Sequence, residues 1–325
     1  MADELLVKED REELVRMLRQ MHQIRFFEAT VMDLLAENYI QGGSHLYAGQ
    51  EAVAVGACAA LRPTDLISST HRGHGHAIAK GGKLPELMAE ICGKTTGCCK
   101  GKGGSLHLAD LNTGNLGANG IVGGGFPIAV GAALSAQMRR SGQVVVCFFG
   151  DGAANEGTAH ESMNMAATWR LPVVFVCENN LYGMSVAVSR CTNLTDLAER
   201  AKGYLMPSEI VDGMDVLAVK DAVARAAERA RNGGGPTFIE CKTYRYYGHS
   251  RSDPRVYRTK EEEAHWKGRD PIPTFARRLV TSGVITEAEA AEVEALAKRD
   301  VEEATAFARQ SPYPAPEQLY EDLYA

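Results

Sequence analysis

Apolar and polar residues alternate along this chain in two rhythms. Over residues 8–40, Leu14, Leu18, Met21 and Ile24 recur every three or four positions, which predicts an amphipathic helix. From about residue 46 to 250, helical stretches alternate with short apolar runs. GQEAVAVGACAAL and the glycine-opened GGGFPIAVGAALSAQMRR read as helices, as do segments near 155–169 and 217–232. DLISST, VVVCFFG, PVVFVCE and TFIECKTYRY read as strands. Apolar strands separated by helices predict an α/β fold, a parallel sheet with helices on both faces. Later the composition turns charged, and ITEAEAAEVEALAKRDVEEATAFARQ predicts a helix that stops before Pro312. The expected organisation is an N-terminal helical segment (1–45), an α/β domain (46–255) and a C-terminal helical extension (256–325), one structural domain overall.

Composition narrows the function classes. With 45% hydrophobic and 23% charged residues, the 325-residue chain reads as an ordinary globular protein. Its 35 basic and 41 acidic residues give a net charge of −6, without the basic surplus of nucleic-acid binders. No apolar run approaches the ~20 residues of a membrane span. The charged start MADELLVKEDREELVRML lacks the pattern of a secretion signal, so a cytoplasmic location is expected. Eight cysteines form no CxxC pair, and Cys147 and Cys177 fall inside predicted strands, which reads as reduced, packed thiol. Cys92, Cys98, Cys99 and His107 match no usual zinc spacing.

Two strands end in unusual chemistry. VVVCFFGDGAANEG and PVVFVCENNLYGM each stop at acidic or amide residues among glycines. In parallel sheets ligands bind beyond the carboxyl ends of strands. Asp151 and Asn180 lie 29 positions apart, the length of a βαβ unit, so one crossover brings them together if their strands are neighbours. Two such oxygens suit a hard cation that also binds phosphate. The glycines beside Asp151 and the following helix would favour an anion. A dinucleotide fingerprint fails because Asn155 stands at its third glycine, and a phosphate-loop motif ending in Gly93-Lys94-Thr95 fails at Met88.

GDGAANEG followed at this distance by ENNLYGM resembles the thiamine-diphosphate motif. HLYAGQEAVAVGA, STHRGHGHAIAKG, KGKGGSLHLAD, GANGIVGGG, YRYYGHSRSDP and YRTKEEE extend the likeness over most of residues 20–270. Together they resemble the alpha subunit of the thiamine-dependent first component of 2-oxo-acid dehydrogenase complexes. HRGHGHAIAKG and GKGGSLHLADL are most similar to its acetoin dehydrogenase branch.

The resemblance implies the thiamine-diphosphate-binding fold, with magnesium held by Asp151, Asn180 and the backbone oxygen of Tyr182. It implies that Gly152, Ala153 and Arg72 bind the diphosphate, Gly120 and Val122 the aminopyrimidine, and that Met184 buttresses the bent cofactor. By the same likeness His45 and His249 face the reactive thiazolium, His249 also nears the diphosphate, and His71 stands where pyruvate enzymes often carry a tyrosine. It also implies a beta subunit that supplies the activating glutamate, an α₂β₂ assembly and a lipoyl-bearing acyltransferase partner. The implied reaction is cleavage of acetoin with transfer of acetyl to lipoyl. Pyruvate or a branched-chain 2-oxo acid is the alternative substrate, and a non-catalytic scaffold is disfavoured by the intact site residues. The polar segment 249–259, HSRSDPRVYRT, reads as a surface loop expected to order when cofactor binds. Ser250 resembles a regulatory phosphorylation position, but Arg255-Val256-Tyr257 lacks the loop's second serine, so such regulation is not implied.

Overall fold

The structure is a computed structural model that describes residues 2–323. Its strands are β1 (Leu66–Ser68), β2 (Val145–Gly150), β3 (Val173–Asn179), β4 (Tyr182–Gly183), β5 (Val186–Ala187), β6 (Ser208–Asp212) and β7 (Thr237–Lys242). Five of them form one parallel sheet in the order β1-β2-β3-β7-β6, while β4 and β5 make a small antiparallel hairpin. The chain steps from β1 to β2 to β3, crosses to the edge at β6 and returns to β7 beside β3. The reversal of strand order therefore falls next to β3, the strand that leads into Asn180.

Successive residues of a strand point to opposite faces, and the core follows that period. Val145, Cys147 and Phe149 of β2, with Val173 and Phe175 of β3, pack against helices Gly125–Arg139 and Gly157–Thr168 through Phe126, Val130 and Met163. Their neighbours Val146, Phe148, Val174 and Val176 pack on the other face against helices Glu51–Ala59 and Val216–Arg231 through Val53, Val55, Val219 and Val223. The central strands are buried on both faces, as the unbroken apolar runs predict.

The predicted N-terminal helix runs Arg11–Ala36, begun by the Asp10 side chain accepting the Glu13 N–H, and it buries Leu14, Leu18, Met21 and Ile24. The predicted C-terminal helix runs Glu287–Gln310 and opens with a Thr286/Glu289 capping box. It buries Val293, Ala297, Val301, Ala304 and Ala308, and Asp300 reaches Arg19 of the N-terminal helix at 2.8 Å. Among the described residues, no helix is long and apolar enough to cross a membrane.

Two details depart from the sequence expectation. TFIECKTYRY forms a strand only to Lys242, because the backbone then leaves the sheet and Tyr246 N–H bonds the carbonyl of Ala48. Edge strand β6, SEIVD, escapes the apolar pattern because only Val211 is buried.

Candidate active site

Residues from neighbouring strand ends and from two loops converge on one cavity of about 740 Å³. Gly150 of β2 pairs with Glu178 of β3, so Asp151 and Asn180 leave adjacent strands side by side at the cavity floor. Gly152, Ala153, Tyr182, Met184, Val122, Arg72, His71 and His249 also line it. Gly120 is exposed and His45 stands behind the other histidines, both outside the lining. Gly152 and Gly183 lie in contact, a Cβ on either meeting the other's Cα at 3.4 Å. Glycine at both positions keeps the backbone amides of the turn open toward the cavity.

The site holds an unpartnered acceptor and an unpartnered donor among buried groups of both signs. Burial pushes the Asp151 carboxyl up from 3.8 to about 6, against the opposing pull of backbone N–H bonds from Asp151 and Asn180. Asn180 donates its amide N–H to Gln50 at 3.1 Å, while its carbonyl oxygen is buried without a partner. On the opposite side burial lowers the Arg72 guanidinium to about 9, and the Arg245 charge beside it adds to the shift. Arg72 donates to the carbonyls of Leu46 and His249, both at 2.9 Å. Arg245 donates to the carbonyl of Met184 at 2.7 Å and keeps a buried Nη1 unpartnered. A desolvated carboxylate with a free amide oxygen fits a divalent cation. Two buried guanidiniums fit an anion such as a diphosphate. The residues present thus fit a metal–diphosphate group.

Three histidines cluster at the same cavity. The His45 ring lies 4.7 Å from that of His249 and 4.9 Å from that of His71. Their hydrogen bonds settle the tautomers. His45 Nδ1 is 2.6 Å from the His249 carbonyl, which only accepts, so Nδ1 carries the proton and Nε2 a lone pair. His249 Nδ1 is 3.1 Å from Arg72 Nη2, which only donates, so Nδ1 accepts and Nε2 carries the proton. Burial and then Arg72 lower His249 to about 4 and His71 to about 2, and burial lowers His45, so the trio is neutral near pH 7.

The alternating histidines after Arg72 do not all serve this cavity. His74 bonds Glu28 at 3.0 Å and Ser105 at 2.8 Å, and His76 bonds Glu178 at 3.1 Å and Ser69 at 2.8 Å, all within the interior. Sequence reasoning missed Arg245 and Glu178, both buried residues of the cavity wall. Arg245 had a signal, a cation in the aromatic run TYRYYG that follows a buried strand; Glu178 differs from a buried strand residue only by its charge. The segment 249–259 is tied into a knot in which Asp253 accepts the N–H of His249 at 2.6 Å, the N–H of Arg255 at 2.9 Å and the hydroxyl of Tyr257 at 2.5 Å.

Comparison with known proteins gives the family. Residues 19–317 match the sequence profile of the dehydrogenase E1 component. The chain is 51% identical over 315 residues to the alpha subunit of acetoin:2,6-dichlorophenolindophenol oxidoreductase of Bacillus subtilis (strain 168), covering 96% of this chain and 94% of the relative. The subunit of the same name from Cupriavidus necator is 44% identical over 316 residues, with 97% and 95% covered. The pyruvate dehydrogenase E1 component subunit alpha of Zymomonas mobilis is 43% identical over 316 residues, with 97% and 89% covered. The match runs through every strand of the sheet and both terminal helix segments that flank it, so the chain belongs to the dehydrogenase E1 component family of thiamine-diphosphate-dependent oxidoreductases, as an alpha subunit.

Proposed function

We propose that this chain is the alpha subunit of a cytoplasmic dehydrogenase that cleaves the C–C bond of acetoin and passes the acetyl group to a lipoyl carrier. The observation that supports the cofactor reading is one cavity that gathers the buried Asp151 carboxyl and the unpartnered Asn180 amide oxygen with the guanidiniums of Arg72 and Arg245, the latter with an unpartnered Nη1. Asp151, the Asn180 amide oxygen and the Tyr182 carbonyl would hold Mg²⁺. Arg72, Arg245 and the amides of Gly152 and Ala153 would hold the diphosphate, Gly120 and Val122 the aminopyrimidine, with Met184 beneath the bend. Thiamine diphosphate, when bound, supplies carbanion chemistry at its thiazolium ring.

The chain's own residues position, shield and move protons. His249, on the cavity lining, can donate its Nε2–H to an oxygen that gains charge, while His45, outside the lining, would hold His249 in place by donating its Nδ1–H to the His249 carbonyl and keep a lone pair on Nε2. His71, half-buried on the cavity lining beside His249, completes the neutral pocket. The activating glutamate would come from a beta subunit in an α₂β₂ assembly. Exposed Ile128, Met138 and Met165, on the two helices covering one sheet face, and Trp169 just after the second support a partner there. The free state of all the cysteines supports a reducing compartment.

Acetoin as substrate rests on the relatives named for it at 51% and 44% identity. The 43% likeness to a pyruvate dehydrogenase subunit favours pyruvate as the second reading. Purified with its beta subunit, thiamine diphosphate and magnesium, the chain should reduce an artificial acceptor with acetoin at a kcat/KM at least ~10-fold above that for pyruvate, a difference of about 1.4 kcal/mol in transition-state binding. Higher efficiency with pyruvate would reverse the substrate assignment.

A further inference from the structure

Away from the candidate active site, the loop after helix Leu84–Ile91 presents two adjacent thiols. Cys98 and Cys99 are half-buried and free, with their sulfurs 4.0 Å apart. The loop is shaped around Glu90, a fully buried carboxylate. One of its oxygens accepts the N–H groups of Cys99 and Gly101, both at 2.8 Å. The other accepts those of Gly103 at 2.7 Å and Gly104 at 3.0 Å. Glycine is required at the tightest point, since a Cβ on Gly97 would stand 2.3 Å from the carboxylate. The N–H of Ala109 donates to the Cys99 sulfur at 3.4 Å. The hydrogen bond from Cys98, then that from the backbone, brings Cys99 down from 9.0 to about 7, while the same pairing pushes Cys98 up. Cys99 is thus the more readily ionised of the two thiols.

We propose that Cys98 and Cys99 form a chelating dithiol site for a soft, low-coordinate thiophilic ion, bound through the two sulfurs alone. The third group within reach, Glu90, has both oxygens engaged by four backbone N–H groups. A carboxylate oxygen is also a poor ligand for a soft ion. Zinc seeks four nitrogen or sulfur ligands, and His107 approaches Cys99 through its carbonyl oxygen, at 3.7 Å. Direct oxidation to a disulfide is disfavoured, because consecutive Cα atoms lie about 3.8 Å apart and disulfides begin near ~4.4 Å. An inserted atom relieves that constraint.

With a trivalent arsenical the step balances without an oxidant. Two S–As bonds form, the As=O bond breaks, and the oxygen leaves as water with the two thiol protons.

The probe is phenylarsine oxide, added at equimolar concentration to the chain purified with its beta subunit. Intact mass and peptide mapping should show a single phenylarsenic adduct on the Cys98–Cys99 peptide. Excess monothiol should leave the adduct in place and 2,3-dimercaptopropanol should remove it. Cys98→Ser and Cys99→Ser should each abolish it, whereas Cys191→Ser, at an exposed cysteine, should not. Circular dichroism of each variant confirms the fold, and mapping with dithiol competition on the unsubstituted protein decides the matter should a variant fail to fold. No adduct on the folded protein, an adduct mapped to another cysteine, or one removed by monothiol would overturn the proposal.

Discussion

Replacing Asp151 by asparagine should move cation affinity and apo stability in opposite directions. The carboxyl is only 2% exposed, and its rise from 3.8 to about 6 corresponds to about 3 kcal/mol of burial cost for the ionised form. The folded carboxyl holds its proton up to about pH 6, whereas the unfolded one releases it near 3.8. Ionisation therefore destabilises the cofactor-free fold progressively across that interval, and the full cost is present above pH 6. Asparagine keeps the shape and removes the charge. The hydrogen bonds from the backbone N–H groups of Asp151 and Asn180 already act within that shift, so the cost of about 3 kcal/mol is what remains after them.

The net expectation above pH 6 is a cofactor-free complex more stable than the parent by up to about 3 kcal/mol, with the difference vanishing toward pH 4. Magnesium-dependent binding should fall at least ~tenfold, or about 1.4 kcal/mol, because a charged oxygen ligand is gone. Parent affinity for magnesium should itself weaken as pH falls below about 6, where the proton competes for the carboxylate. Thermal melts of the chelator-treated complex across that pH range give the first quantity, and titration calorimetry with magnesium and thiamine diphosphate gives the second. Unchanged affinity in a folded Asp151→Asn complex would remove Asp151 from the metal site. A clear loss of apo stability above pH 6 would refute the burial argument.

The segment 249–259 depends on Asp253, so Asp253→Ala should release the N–H groups of His249 and Arg255 and raise the rate of limited proteolysis there severalfold; an unchanged rate would show that the knot does not hold the loop. In the parent, cofactor and magnesium should slow cleavage of the same loop, and equal rates with and without them would count against ordering by the ligand. Gly75→Ala places a Cβ 2.2 Å from the ring of Tyr47, whose hydroxyl is fixed on Glu178, so overpacking of about 1–3 kcal/mol should lower the melting midpoint by several degrees; an unshifted midpoint would mean the ring can move aside.

Much of the fold was legible because the central strands are buried on both faces. VVVCFFG and PVVFVCE are nearly free of polar residues, and the structure places them as neighbours whose ends bring Asp151 beside Asn180. The edge strand SEIVD was hidden because four of its five residues face solvent and carry no apolar alternation. The cation side of the site was visible through glycines flanking an acid. The anion side was only partly visible, since Arg245 is contributed by a segment beyond β7 that joins the cavity only after the backbone turns toward Ala48. Pairings such as Glu28 with His74 and Glu178 with His76 join residues 46 and 102 positions apart, which no local spacing records.

On the proposed assignment, this chain holds the diphosphate and metal half of a thiamine-dependent active site and depends on a beta subunit for the rest. That assignment is tested most directly by supplying the isolated chain with thiamine diphosphate, magnesium and acetoin, following reduction of 2,6-dichlorophenolindophenol, and then adding the purified beta subunit. The chain alone should give no acetoin-dependent reduction, with turnover appearing once the two subunits are combined. Full turnover by the isolated chain would contradict it.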